Sequence, residues 1–170
     1  MKFLMLSFIL LTGCQAQNNS PVKEEVPKAT EFKPVSVKGV RKLHGQQLYI
    51  PIYSSLYQKD EKDLINLTGV LSLRNTSFKN TITFTKVDYY DTNGKLIKQF
   101  IDQPFALGKM STKDFVIPER SLNGGTGANF IVEWESDKFV SIPLVEAIML
   151  GTQGTKGFAF SSRSQEIEAH

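Results

Sequence analysis

Cysteine is almost absent from this chain and histidine nearly so, and each scarcity removes a class of chemistry. The single cysteine, Cys14, has no partner for an internal disulfide and belongs to no multi-cysteine metal set. The two histidines, His44 and His170, stand in a predicted linker and at the last position. Those places suit neither a zinc site nor a Ser-His-Asp triad. Behind the leader only Met110 and Met149 remain, without a neighbouring histidine to complete a Cu(I) site. Metal hydrolysis, thiol catalysis and triad chemistry are therefore not expected, and neither is a cofactor. Positive charge is also thin. The net charge is +3 and no run of Lys and Arg exceeds two residues, so no clustered basic face for nucleic acid is expected. Nor is there an apolar run of the roughly 20 residues that a spanning helix needs.

What the chain does have begins at its amino end. Met1-Lys2 leads into Phe3-Leu4-Met5-Leu6-Ser7-Phe8-Ile9-Leu10-Leu11, the positive start and short apolar run of a secretory signal. Leu11-Thr12-Gly13-Cys14 follows and resembles the lipobox of bacterial lipoproteins. That resemblance implies a diacylglyceryl group on the Cys14 thiol, cleavage before it, and often a further acyl chain such as palmitate on the new amino end. At about 0.8 kcal/mol per buried methylene, two or three chains anchor firmly. The expectation is a protein anchored to the cell envelope and not spanning it. Gln15, where enteric inner-membrane lipoproteins carry Asp, points towards the outer membrane.

Three regions are predicted: a signal peptide over 1–13, a disordered tether over 14–46 and a folded domain over 47–165. The tether carries Pro21, Pro27 and Pro34 among mixed charges and lacks apolar periodicity. Its end-to-end distance of about 30 Å would hold the domain clear of the lipid headgroups. The domain is rich in Phe, Tyr, Val, Ile and Thr, which favour strands. About eight are predicted, over 48–53, 64–75, 81–90, 95–102, 112–117, 128–135, 144–150 and 158–162. Pro51 marks the first as an edge. The slip of apolar phase between Phe84 and Val87 predicts a bulge near Thr85 and Lys86. Asp91-Thr92-Asn93-Gly94 predicts a tight hairpin. One helical turn around Ser55–Asp60 is the only helix considered. The fold class expected is an all-β, immunoglobulin-like antiparallel sandwich.

Alternating strand directions sort the loops into two poles. Loops 54–63, 91–94, 119–127 and 151–156 share one, pointing away from the membrane. Loops 76–80, 104–110 and 137–142 share the other with the tether and the carboxyl end. The outward pole holds two glycine-rich stretches, Asn123-Gly124-Gly125-Thr126-Gly127-Ala128-Asn129 and Gly151-Thr152-Gln153-Gly154-Thr155. Exposed N–H groups in such loops cradle anions, yet neither stretch has the Gly-Lys-Ser/Thr of a nucleotide loop. Glycine serving positive-φ turns explains them more simply. The binding alternative uses Asn123, Thr126, Asn129, Thr152 and Gln153 as polar contacts.

Three carboxylates need weighing as acids. Glu133 and Glu135 flank Trp134, and strand alternation places them on a solvated outer face above a core indole. Glu146 interrupts the apolar run Pro143–Leu150 and calls for a partner, Arg74 or Arg163. Paired acids would suit glycoside hydrolysis, but core, surface and ion-pair roles account for all three.

From Tyr49-Ile50-Pro51-Ile52-Tyr53-Ser54 to about Ile167 the chain resembles an uncharacterised bacterial family, domain of unknown function 3124. The resemblance rests on Leu71-Ser72-Leu73-Arg74-Asn75-Thr76, Val87-Asp88-Tyr89-Tyr90-Asp91, Gly124 to Trp134, and Glu146-Ala147-Ile148-Met149-Leu150-Gly151-Thr152-Gln153. It covers the predicted domain and implies an exported or envelope lipoprotein without supplying an activity. The functional expectation is a non-enzymatic binding or interaction module of the cell envelope, with an envelope protein or glycan as partner and the lipid membrane held through Cys14. The alternative is an enzyme acting on envelope polysaccharide or peptidoglycan through a strand carboxylate.

Overall fold

The computed structural model describes residues 34–36 and 42–169. The leader, Cys14 and most of the expected tether lie outside the described residues. Alternating apolar and polar residues produce twelve strands here, where about eight were expected. They are β1 (His44–Pro51), β2 (Ser55–Tyr57), β3 (Leu64–Asn66), β4 (Thr68–Arg74), β5 (Ile82–Tyr90) and β6 (Leu96–Gln99), then β7 (Phe105–Leu107), β8 (Thr112–Ile117), β9 (Asn129–Ser136), β10 (Leu144–Gln153), β11 (Lys156–Arg163) and β12 (Gln165–Ala169). Two antiparallel sheets carry the sandwich. One runs β12-β1-β9-β5-β6 with β7 also on β5, and the other runs β11-β10-β4-β8. Strands β2 and β3 form a separate ribbon.

Period-two alternation sends one residue in two into the space between the sheets. From the larger sheet these are Leu48 and Ile50 of β1, Phe84, Val87 and Tyr89 of β5, and Phe130, Val132 and Trp134 of β9. Leu71, Leu73, Val145, Ala147 and Met149 meet them from the smaller sheet, and all are buried. Trp134 is fully enclosed, and its indole N–H donates to Gln46 Oε1 at 3.2 Å. The apolar slip in β5 is a bulge, because the register against β9 shifts between Phe84 and Lys86.

Several expectations need correction. β1 is not an edge: over Gln46–Tyr49 it lies between β9 and β12. Pro51 is tolerated because β12 stops short of it. β1 also begins at His44, so residues 44–46 belong to the sheet and not to a tether. The stretch 64–75 divides at Leu67, which turns inward and is buried. Ser55–Tyr57 is a strand and not a helical turn. Leu122–Gly127, expected as loop, is a 3₁₀ turn.

The loops sort as the alternation predicts. At the entry end, where Leu43 N–H donates to Ser136 O at 3.0 Å, loops 76–80, 108–111 and 137–142 meet. Buried Asn75 joins them. Its Nδ2 donates to the carbonyls of Asn80, Leu107 and Gly108 at 2.9, 3.0 and 3.0 Å, and its Oδ1 accepts from Ser77 N–H at 2.9 Å. Removing a buried side chain with this many partners orphans several carbonyls at once. Asn75→Ala is expected to cost about 2–4 kcal/mol. Urea unfolding at neutral pH measures it, and a loss below about 0.5 kcal/mol would show that water replaces these bonds.

Candidate functional site

The far end is built on the hairpin between β5 and β6. Asp91 Oδ1 accepts the N–H groups of Asn93 and Lys95, both at 2.8 Å, and Gly94 takes φ 77° to close the turn. This leaves Thr92 free to bind the 3₁₀ turn. Its N–H and Oγ1 both donate to Gly124 O, at 3.0 and 2.9 Å, and Oγ1 accepts from Gly127 N–H at 2.9 Å. Ser54 adds two donations to Gly125 O, from N–H and Oγ, each at 3.1 Å. Thr92 and Ser54 thus hold the Gly124 and Gly125 carbonyls inward, and of the N–H groups of the turn that of Gly127 is bonded to Thr92.

The two sequence-predicted loops do not face one hollow. Asn123 lines a concavity with Asp91, Lys95 and Ile97. Thr152 and Gly151 line another of about 490 Å³ with Thr68, Glu119 and Phe158. Gln153 is exposed opposite Lys156 at the hairpin tip. Thr126 is half-buried beside Gly125, and Asn129 is half-buried in register with Pro51 and Tyr90. Gly124 is the tightest position of the set. A Cβ there would stand 1.9 Å from Tyr89 Oη and 2.8 Å from Ser54 Oγ. Burial lifts the Tyr89 phenol above the usual tyrosine range, opposed by the nearby Ser54 hydroxyl and aided by the charge of Asp91.

The carboxylates take structural places. Glu135 is buried and not solvated as expected, because Gly45 and Thr83 flank it in the sheet and Lys42 Nζ covers it at 2.5 Å. Sequence alternation could not reveal this cover, since Lys42 precedes the first strand. The same contact holds the Lys42 ammonium above its usual range, chiefly by its hydrogen bond to Glu135 and against the cost of desolvation. Glu133 lies 3.5 Å from Lys86, and Glu146 lies 3.6 Å from Arg74 with Arg163 opposite it on β11. The ion pair expected of Glu146 is thus present.

A groove missed from sequence opens at the side of the sandwich, between β7 and β8. It measures about 390 Å³ and is lined by Phe100, Phe105, Phe115 and Lys113, with Pro34 on its rim. Pro34 bridges to Phe105, and Val35 N–H donates to Pro104 O at 2.9 Å, so the incoming chain covers part of β7's open edge. Lys98 lies over the Phe100 ring at 4.2 Å. Among the described residues, no group of three or more His, Cys, Asp or Glu could hold a metal ion.

A two-sheet antiparallel β-sandwich with internally bonded end loops is the class of protein these observations define. The chain belongs to the family described as Protein of unknown function (DUF3124), whose model matches residues 45–167. No curated protein matches its sequence. The crystal structure of Thermotoga maritima 1070 is similar at 9% identity and a TM-score of 0.43, over 71% of this chain and 92% of that one. A likeness at that level carries no argument here.

Two predictions follow from the far end and the Lys42 contact. Gly124→Ala, which needs no forbidden backbone angle, is expected to cost about 2–3 kcal/mol by overpacking against Tyr89. Tyr89→Phe removes the nearest atom, so a double-mutant cycle should return part of that loss; strict additivity would mean the two do not press on each other. Tyr89 and Lys42 are both raised in the folded state. Their contributions are therefore whole below the unfolded values near pH 10 and fade as pH climbs through the folded ones. The stability margin of the parent over Tyr89→Phe, and over Lys42→Met, should shrink between about pH 8 and about pH 11. Margins that stay constant across that range would contradict it.

Proposed function

We propose that this protein is a lipid-anchored lipoprotein of the bacterial cell envelope, held by Cys14, whose sandwich is a non-enzymatic binding module. The observation that carries this reading is Leu11-Thr12-Gly13-Cys14 standing behind Met1-Lys2 and the apolar run Phe3–Leu11. The geometry of the domain supports it. Leu43 enters beside Ser136 and Ala169 pairs with Gln46, so the domain's first and last described strands meet at one end. Loops around Thr92, Gly124 and Thr152 are then turned away from the anchor, where an envelope protein or glycan would be met.

An enzyme acting on envelope polymers is the weaker reading. Each candidate acid is engaged by a cation: Glu135 by Lys42, Glu133 by Lys86 and Glu146 by Arg74. A glycosidase would instead set two carboxyl groups across a cleft.

The anchor is tested in growing cells fed labelled palmitate. The parent chain is expected to carry the label and to enter the detergent phase, whereas Cys14→Ser loses the label. Label kept by Cys14→Ser would sink the anchor. The binding module is tested by cross-linking in the same cells, where Thr126 and Gln153 substitutions should reduce capture of a partner without lowering the melting temperature.

A further inference from the structure

The two most exposed large apolar side chains among the described residues are Phe139, at 80%, and Phe78, at 77%. Both stand at the entry end, one in each of two adjoining loops. Met110, at 57%, and Ile142, at 55%, are there too. Hydrogen bonds knit these loops into one surface. Thr76 Oγ1 donates to Ile142 O at 3.1 Å, Met110 N–H to Ser77 O at 3.2 Å, and Asn75 N–H to Ser111 O at 3.0 Å. The Phe139 ring lies 6.2 Å from that of His44, which packs edge-on against Trp134. Met110 adopts the left-handed backbone, φ 56°, uncommon for any residue but glycine.

Lysine adjoins three of these four apolar tips: Phe78-Lys79, Lys109-Met110 and Lys138-Phe139. All three lysines are exposed, and none forms an ion pair among the described residues. Loops 76–80, 108–111 and 137–142 contain one acid, Asp137. The far end differs, for there Lys59, Lys62, Lys95, Arg120 and Lys156 are matched by Asp60, Glu61, Asp63, Asp91 and Glu119.

We infer that the entry end of the sandwich is a membrane-contact surface that seats on an anionic phospholipid bilayer through Phe78, Met110, Phe139 and Ile142. Apolar tips enter the boundary between headgroups and acyl chains, as the apolar face of an interfacial helix does. Lys79, Lys109 and Lys138 remain at headgroup level, drawn by the negative surface potential. The occupant is a bilayer because apolar tips and lysines stand side by side across three loops instead of forming a groove. The chain also enters the domain at this end, at Leu43. Phe and Met also suit a protein interface, but the three lysines do not, since interface centres are depleted of Lys. The surface deepens the anchored reading but does not require it, and it replaces the expectation of a domain held clear of the headgroups, because a flexible tether sets a reach and not a fixed distance.

Hydrogen–deuterium exchange tests it on the full chain, with vesicles of phosphatidylglycerol and phosphatidylcholine compared against phosphatidylcholine alone. Amides in 76–80, 108–111 and 137–142 should exchange about tenfold more slowly on the anionic vesicles, with 91–94 unchanged as the control. The Lys79→Gln, Lys109→Gln, Lys138→Gln triple variant should lose that protection, its affinity for the anionic surface falling about a hundredfold. Phe78→Ser with Phe139→Ser should lose it too. Both positions are solvent-exposed, so an unchanged melting temperature separates lost contact from lost fold. Entry-end loops that exchange equally on both vesicles would overturn the inference, as would equal slowing of 91–94. Palmitate on Cys14 is scored separately. Unprotected loops in a labelled chain overturn this surface and leave the anchor standing; protected loops in an unlabelled chain do the reverse. Unprotected loops in an unlabelled chain overturn both.

Discussion

Strand β9 drives Phe130, Val132 and Trp134 into the space between the sheets, and the rest of the sandwich is arranged around that insertion. β1 and β5 flank it on both sides, so its backbone is bonded along its whole length and its outward side chains are left to find partners. Glu133 and Glu135 do so with Lys86 and Lys42. A sheet interior that fixes its central strand also fixes the height of every loop it feeds. The 3₁₀ turn before β9 therefore meets Thr92 and Ser54, and Ser136 at its other end meets Leu43.

The two ends solve different problems with the same bond types. At the far end, glycine lets backbone approach Tyr89 closely enough that the chain bonds to itself. At the entry end, the single amide of Asn75 gathers three carbonyls, which frees the neighbouring side chains from any packing duty.

Strands with a buried face were legible in the sequence, since alternation and burial are the same signal. That is why β8 was found at its observed bounds and the β5 bulge at its observed residues. Counting antiparallel reversals also sorted the loops correctly. What escaped was pairing imposed by neighbours. All of β12 is exposed, so Gln165–Ala169 shows no apolar alternation, and β1 alone makes it a strand. The three-residue strands β2, β3 and β7 are too short to display a period. Pro51 misled because a proline excludes pairing only at its own nitrogen, and β12 ends before reaching it. Of the candidate site, Glu146's ion pair was legible from its apolar surroundings. The cover over Glu135 was not, because Lys42 precedes any pattern. The family membership was legible because its matching stretches coincide with β4, β5, β9 and β10.

The position of β1 also sets the order in which the molecule comes together. Pro51 waits for Asn129 and Tyr49 for Ile131 before either finds a sheet partner, and the second side of Tyr49 waits for Gln165. The first strand made is thus completed by the last, and loop closures of that length slow folding. β4 and β5 find β8, β6 and β7 on the way, but β1 has no strand to join until β9 is made. The larger sheet therefore stays open on its β1 side until the chain is nearly whole.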